Sequence, residues 1–106
     1  MSLITVDPRS RVPIYEQLVR CVKELIYAGE MKADDPLPSV RSLATELAIN
    51  PNTIQRAYRE LEADGYIESV SGKGSFVSLP HDAIAARKEE LLGKFTALLS
   101  ELRAVG

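Results

Sequence analysis

The side chains of this sequence best equipped for chemistry are hydrogen-bonding groups rather than nucleophiles. Asn50, Asn52, Thr53, Gln55, Arg56 and Arg59 stand within ten positions of one another. At about 100° per residue along a helix, Asn52, Gln55, Arg56 and Arg59 fall on one side, flanked by Thr53 and Glu60. Ile54, Ala57, Tyr58 and Leu61 fall on the other, a core face. Asn and Gln amides pair in bidentate fashion with adenine, and Arg with guanine. Such a strip near a helix N-terminus is what meets base edges in a major groove. An ordinary solvent-facing helix would show the same polar residues, so the strip alone decides nothing.

Reactive constellations are missing. Cys21 is the one cysteine and His81 the one histidine, so neither an intrachain disulfide nor a cysteine-based metal site can form. Cys21 reads as an inert thiol beside an apolar stripe, His81 as a linker or helix-start residue, and Glu60, Glu62 and Asp64 as a solvated helix end. The Gly72-Lys73-Gly74-Ser75 run is not a nucleotide loop. A P-loop needs a glycine where this chain has Ile67, and a helix rather than a strand afterwards. No catalytic residue, cofactor or metal is expected, and an enzyme is the weakest class.

The elements that must hold the strip can be read around it. Ser39 after Pro38 is a capping residue, and Val40, Leu43, Ala44 and Leu47 recur at helical spacing. Ala48-Ile49-Asn50 is a short turn. Asn50 caps a second helix, Pro51 occupies its first position, and Gly65 follows its end near Asp64. Helix, three-residue turn and helix form a helix-turn-helix. Residues 66–70 and 75–78 alternate as two strands, joined by Ser71-Gly72-Lys73-Gly74. Two glycines free the backbone at the tip, and Lys73 is offered outward. A thin cationic tip suits a minor groove or a phosphate. The whole is a winged helix.

Ahead of this unit, Pro13 opens a helix to about Ala28, ended by Gly29. Ile14, Leu18, Val22 and Leu25 form its stripe, widened by Tyr15, Val19 and Ile26. Residues 30–37 form a loop able to add a short edge strand to the wing. Residues 1–12 read as a solvated, mobile arm with an extended Ile4-Thr5-Val6 segment; Arg9 and Arg11 are within reach of a phosphate. The arm has no signal-peptide pattern, and no stretch is long enough to span a membrane, so a cytoplasmic location is expected.

Stretch 37–77 resembles the DNA-binding domain of the GntR family of bacterial transcription regulators. PIYEQL, from Pro13 to Leu18, is similar to the opening of that domain in short members, and the likeness extends over 12–79. It is strongest to the YtrA subfamily, which carries only a short helical tail. The resemblance implies that Arg41 contacts DNA from the first helix of the pair. It implies that Asn50, Asn52, Thr53, Gln55 and Arg56 contact phosphates and base edges, and that Gly72 and Lys73 place the wing tip in the minor groove. Some members carry arginine where this chain has Pro51 or Gln55, so base preference does not transfer.

With 106 residues the chain has room for one domain and an appendage. Its net charge of −2 counts mildly against a DNA partner, for which a basic footprint is expected. The local balance is different: from Pro38 to Arg59 there are Arg41, Arg56 and Arg59 against Glu46 alone. A modest positive patch on an acidic body predicts marked salt sensitivity of binding.

Pro80 marks a boundary, and a last helix is expected over 81–104. Ile84, Leu91, Phe95, Leu98, Leu102 and Val105 follow steps of three and four, with Lys88 at one apolar place and Leu92 and Leu99 broadening the seam. Such a stripe favours pairing across a homodimer over folding back on its own domain. Short members of the resembled family typically have two helices after the wing, whereas only one fits here, and the effector-binding domains of other subfamilies are not seen.

The expectation is therefore a mainly α fold with a small β-hairpin. It divides into an arm (1–12), a winged helix-turn-helix domain (13–79) and a helical dimerisation tail (80–106). The expected function is a sequence-specific, homodimeric transcription regulator, a repressor, on an inverted-repeat operator in double-stranded DNA. A small-molecule effector is left open as a further partner, and no membrane is expected. The competing class is a winged-helix module that binds protein through its C-terminal seam.

Overall fold

A computed structural model describes residues 3–79 and 81–106, with nothing stated of the side chains of 81–83. The boundary expected at Pro80 and the role expected for the His81 side chain lie outside the described residues. Four helices and one hairpin follow in the order α1 (Ile14–Tyr27), α2 (Val40–Leu47), α3 (Pro51–Ala63), β1 (Ile67–Val70), β2 (Gly74–Val77) and α4 (His81–Val105).

The first three helices end in one motif. Gly29 after α1 and Gly65 after α3 have φ of 79° and 83°. The next amide reaches back six residues in count: Glu30 N–H to the Leu25 carbonyl and Tyr66 N–H to the Leu61 carbonyl, both at 2.9 Å. This is the Schellman arrangement, in which a left-handed residue satisfies the last carbonyls of a helix. Helix α2 closes in the same way, with Ile49 N–H donating to the Ala44 carbonyl at 2.9 Å. Its left-handed residue is Ala48, at φ 56°, a conformation that a Cβ disfavours.

The starts are capped as the sequence predicts. The Ser39 hydroxyl accepts from Ser42 N–H at 3.0 Å, and Asn50 Oδ1 accepts from Asn52 N–H at 2.8 Å. Pro51 begins α3, where no backbone donor is required.

β1 and β2 pair antiparallel, with Ile67 opposite Val77 and Ser69 opposite Ser75. The loop ahead of α2 adds the edge. Pro36 bridges to Phe76, Leu37 N–H donates to the Ser75 carbonyl, and Val77 N–H donates to the Asp35 carbonyl. The thin hairpin is thereby stiffened from the side away from β1.

Leu18 and Val22 of α1, Leu43 of α2, and Ile54 and Leu61 of α3 are sealed from water, joined by Ile67 and Val77 of the wing. Apart from the hydroxyls of Tyr58 and Tyr66, the buried core among the described residues is apolar. Tyr58 donates its hydroxyl to the Pro38 carbonyl at 2.7 Å, which ties α3 to the entry of α2. Burial pushes that hydroxyl's pKa upward.

The arm differs from expectation. Ile4 is 1% exposed and belongs to the core. Gln17 fixes the following chain: its Oε1 accepts from Asp7 N–H at 2.7 Å, and its Nε2 donates to the Asp7 and Val12 carbonyls. The segment is docked because one apolar side chain fills a space over α1 and one amide holds the turn behind it.

Candidate nucleic-acid interface

Helix α3 carries the predicted strip. Asn52, Gln55, Arg56 and Arg59 are exposed, Thr53 is half-buried, and Ile54, Ala57, Tyr58 and Leu61 are buried. Asn50 is exposed too, but its side-chain oxygen is committed to the cap, leaving its amide NH₂ outward. The positive end of the helix dipole makes this end of α3 attractive to anions.

The strip divides between two neighbours. Gln55 and Arg59 line a shallow groove with Val40, Tyr58, Glu62, Ser69 and Ser75, between α3 and the wing. Glu62 secures the wall of that groove by accepting from Ser69 N–H at 3.1 Å. Arg56 turns the other way, its guanidinium 3.7 Å from the ring centroid of Tyr15 on α1. A helical projection of α3 places Arg56 with the strip but cannot show that a neighbouring helix offers it an aromatic face.

Arg41 is exposed on α2, in a depression with Ser39, Ser42, Thr45 and Glu46. At the wing tip, Lys73 N–H donates to the Val70 carbonyl at 3.0 Å, closing a tight turn with Gly72 at φ 77°. Gly72 and Lys73 are both exposed. No ion pair among the described residues engages Arg41, Arg56, Arg59 or Lys73, so these cations remain available to a polyanion. The described residues contain no cluster of potential metal ligands, and no helix among them is long and apolar enough to cross a membrane.

Three residues beside the interface were not singled out by sequence. Ser69 and Ser75 face each other across the hairpin, Oγ to Oγ at 3.5 Å, and line the groove beside Gln55 and Arg59. Strand alternation puts them on one face, but only the packing of α3 shows which face matters. Tyr15 reads as core from its spacing, and its role toward Arg56 has no signal in a single-helix pattern.

Residues 14–77 match the profile described as bacterial regulatory proteins, gntR family. The chain belongs to the GntR family. Among curated GntR-like relatives, the transcriptional repressor YtrA of Bacillus subtilis is 45% identical over 101 residues, covering 95% of this chain and 74% of the repressor. Among solved structures, the GntR-family transcription factor YtrA from Sulfolobus acidocaldarius superposes with a TM-score of 0.67. It is 34% identical and covers 87% of this chain and 99% of that one. The DNA-binding domain of AraR in complex with operator ORE1 superposes with a TM-score of 0.60 at 26% identity, covering 70% and 90%. The GntR fold expected from the sequence, helix-turn-helix plus wing, is the fold found.

Helix α4 stands apart from this body. Ile84, expected in the dimer seam, is half-buried against the core of its own domain, because it lies on the helix's first turns. Arg87 sits over Tyr27, 5.7 Å from the ring centroid. Beyond it Leu91, Leu92, Phe95, Leu98, Leu99, Leu102 and Val105 are exposed. The chain is accordingly long, 56 Å on its main axis with a radius of gyration of 16.5 Å, where a compact chain of this length has about 13 Å.

Proposed function

We propose that this GntR-family regulator is a homodimeric repressor that reads an inverted-repeat operator. One observation carries the reading: a capped helix with an exposed polar strip lies against the wing, Gln55 and Arg59 sharing a groove with the wing serines. The N-terminal half of α3 enters a major groove, where Asn52, Gln55 and Arg59 present amide and guanidinium groups to base edges. Lys73 at the Gly72 turn meets the adjacent minor groove, and Arg41 and the Asn50 cap hold phosphates. The likeness to the YtrA repressor and to an operator-bound AraR domain supports the reading.

Pairing supplies the second half-site. The apolar residues of α4 from Leu91 to Leu102 are exposed as a stripe, and two such stripes packed together give a two-fold dimer, which demands a two-fold operator. Repression then needs no reaction, because occupying a promoter excludes polymerase.

The test is selection of bound duplexes from a random pool by the full chain at two salt concentrations. An enriched inverted repeat, bound far more weakly at the higher salt, is the expected outcome. A folded protein that enriches no sequence at either salt would overturn the reading. An enriched single half-site would overturn the dimer alone.

A further inference from the structure

The recognition strip contains one member that does not point with the others, and α1 is the reason. Arg56 lies about 40° around the helix from Asn52, and Gln55 about 60° in the opposite sense. Gln55 therefore borders the wing and Arg56 borders α1, which is the division the contacts show. Helices α1 and α3 run side by side in the same direction. Tyr15, in the first turn of α1, meets Arg56, near the middle of α3, and Lys23 meets Asp64 at 3.4 Å eight residues further along each. The first turn of α1 thus stands level with the DNA-facing half of α3.

We infer that Tyr15 is a positioning residue, whose ring holds Arg56 at the flank of the recognition helix as a phosphate contact rather than a base reader. A guanidinium stacked on a ring uses its flat face and leaves its N–H edges free, and those edges are what grip a phosphate. Tyr15 itself is steadied by its hydroxyl, which donates to Glu16 Oε1 at 3.2 Å. No carboxylate among the described residues pairs with Arg56. Laid sideways toward α1, the guanidinium is directed at the sugar-phosphate wall of a groove that α3 occupies. A stacked arginine also loses less side-chain freedom on binding than a solvated one.

This rests on the DNA-binding reading, and the experiment separates the two. Affinities of the full chain for the selected operator and for an unrelated duplex are measured across a salt series. Arg56→Ala is expected to weaken both about tenfold and to lower the salt slope by about one contact, with the operator's base preference unchanged. Tyr15→Leu is expected to do the same although it removes no charge, and Tyr15→Phe, which keeps the ring face, to restore the loss. Tyr15 is half-buried, so Tyr15→Met, closer in bulk, is measured beside Tyr15→Leu, with thermal melts for each. A change of base preference in Arg56→Ala would overturn the phosphate role. Wild-type affinity in a folded Tyr15→Leu or Tyr15→Met would overturn the positioning role. Failure of the wild-type chain to bind any duplex would remove the DNA reading and this inference with it.

Discussion

The winged domain and the tail helix use the same residue types in opposite ways. In the domain, leucine and isoleucine close a core: Leu43, Ile54 and Leu61 are 0% exposed. In α4, Leu92, Phe95, Leu98 and Leu102 are 59–67% exposed. The domain is held by contacts within one chain, so its shape is complete in a single copy. The tail is a regular helix whose apolar side, from Leu91 onward, is exposed in a single copy. An apolar patch that a lone chain leaves in water marks a surface meant for another molecule. In the dimer proposed above, stability and association are assigned to separate parts of the sequence.

That separation is open to direct attack. Leu61→Ala is expected to cost the fold about 3 kcal/mol, the usual range for a sealed leucine. Leu98→Ala in dilute protein is expected to change stability by less than about 0.5 kcal/mol while weakening self-association. Urea melts at several protein concentrations check both. Equal losses in dilute solution would mean that the tail is part of the domain's own core.

The next effect comes from pH. Burial, aided by the hydrogen bond with Tyr27, pushes the Tyr66 hydroxyl up to about 12 from an ordinary value of 10.0, and burial also raises Tyr58. Between those values the unfolded chain releases protons that the folded chain keeps, so stability is full below about pH 10 and falls as pH rises toward 12. The loss belongs to the winged domain, whose core holds both tyrosines. A urea midpoint that stays constant from about pH 9 to 11.5 would place both hydroxyls in water.

Smaller changes probe how the recognition helix is set. Asn50→Ala removes the α3 cap and should cost about 1 kcal/mol, read from the melting temperature. Ala48→Gly should gain about 0.5 kcal/mol, because glycine accepts the left-handed conformation that Ala48 now adopts. A loss of stability in Ala48→Gly would show that the methyl group is packed or that entropy in the unfolded chain dominates.

Much of this architecture was legible because it is local. Ser39, Asn50, Pro51, Gly29 and Gly65 announce helix ends within a few residues of themselves, and the alternation around Gly72-Lys73-Gly74 announces the wing. Even the edge pairing expected within 30–37 followed from the placement of a loop beside a hairpin, as a single bridge from Pro36 to Phe76. What escaped is set by distant partners. Ile4 sits in a segment too short for periodicity, and only the surface of α1 and its neighbours gives it a place inside. Ala48 carries no glycine signal, although its hydrogen bonds match those after Gly29 and Gly65. Arg56 belongs to the polar strip by angle and to Tyr15 by contact, and Ile84 belongs to the apolar seam by spacing and to the domain by packing. For the candidate site, sequence grouped the residues of the strip on one exposed face but did not show how they divide between α1, the wing and the groove.

The narrow footing of α4 has a mechanical consequence. Among the described residues, Ile84 and Arg87 are the points at which this helix touches its domain. From Arg87 to Val105 the helix is a lever about 27 Å long. Swinging it by ten degrees at the root displaces its far end by about 5 Å, more than the roughly 3.4 Å that separates successive base pairs. In the dimer proposed above, the distance between two recognition helices is therefore geared to the seating of one isoleucine and one arginine. Small substitutions at that footing would retune operator spacing without touching a residue that faces DNA.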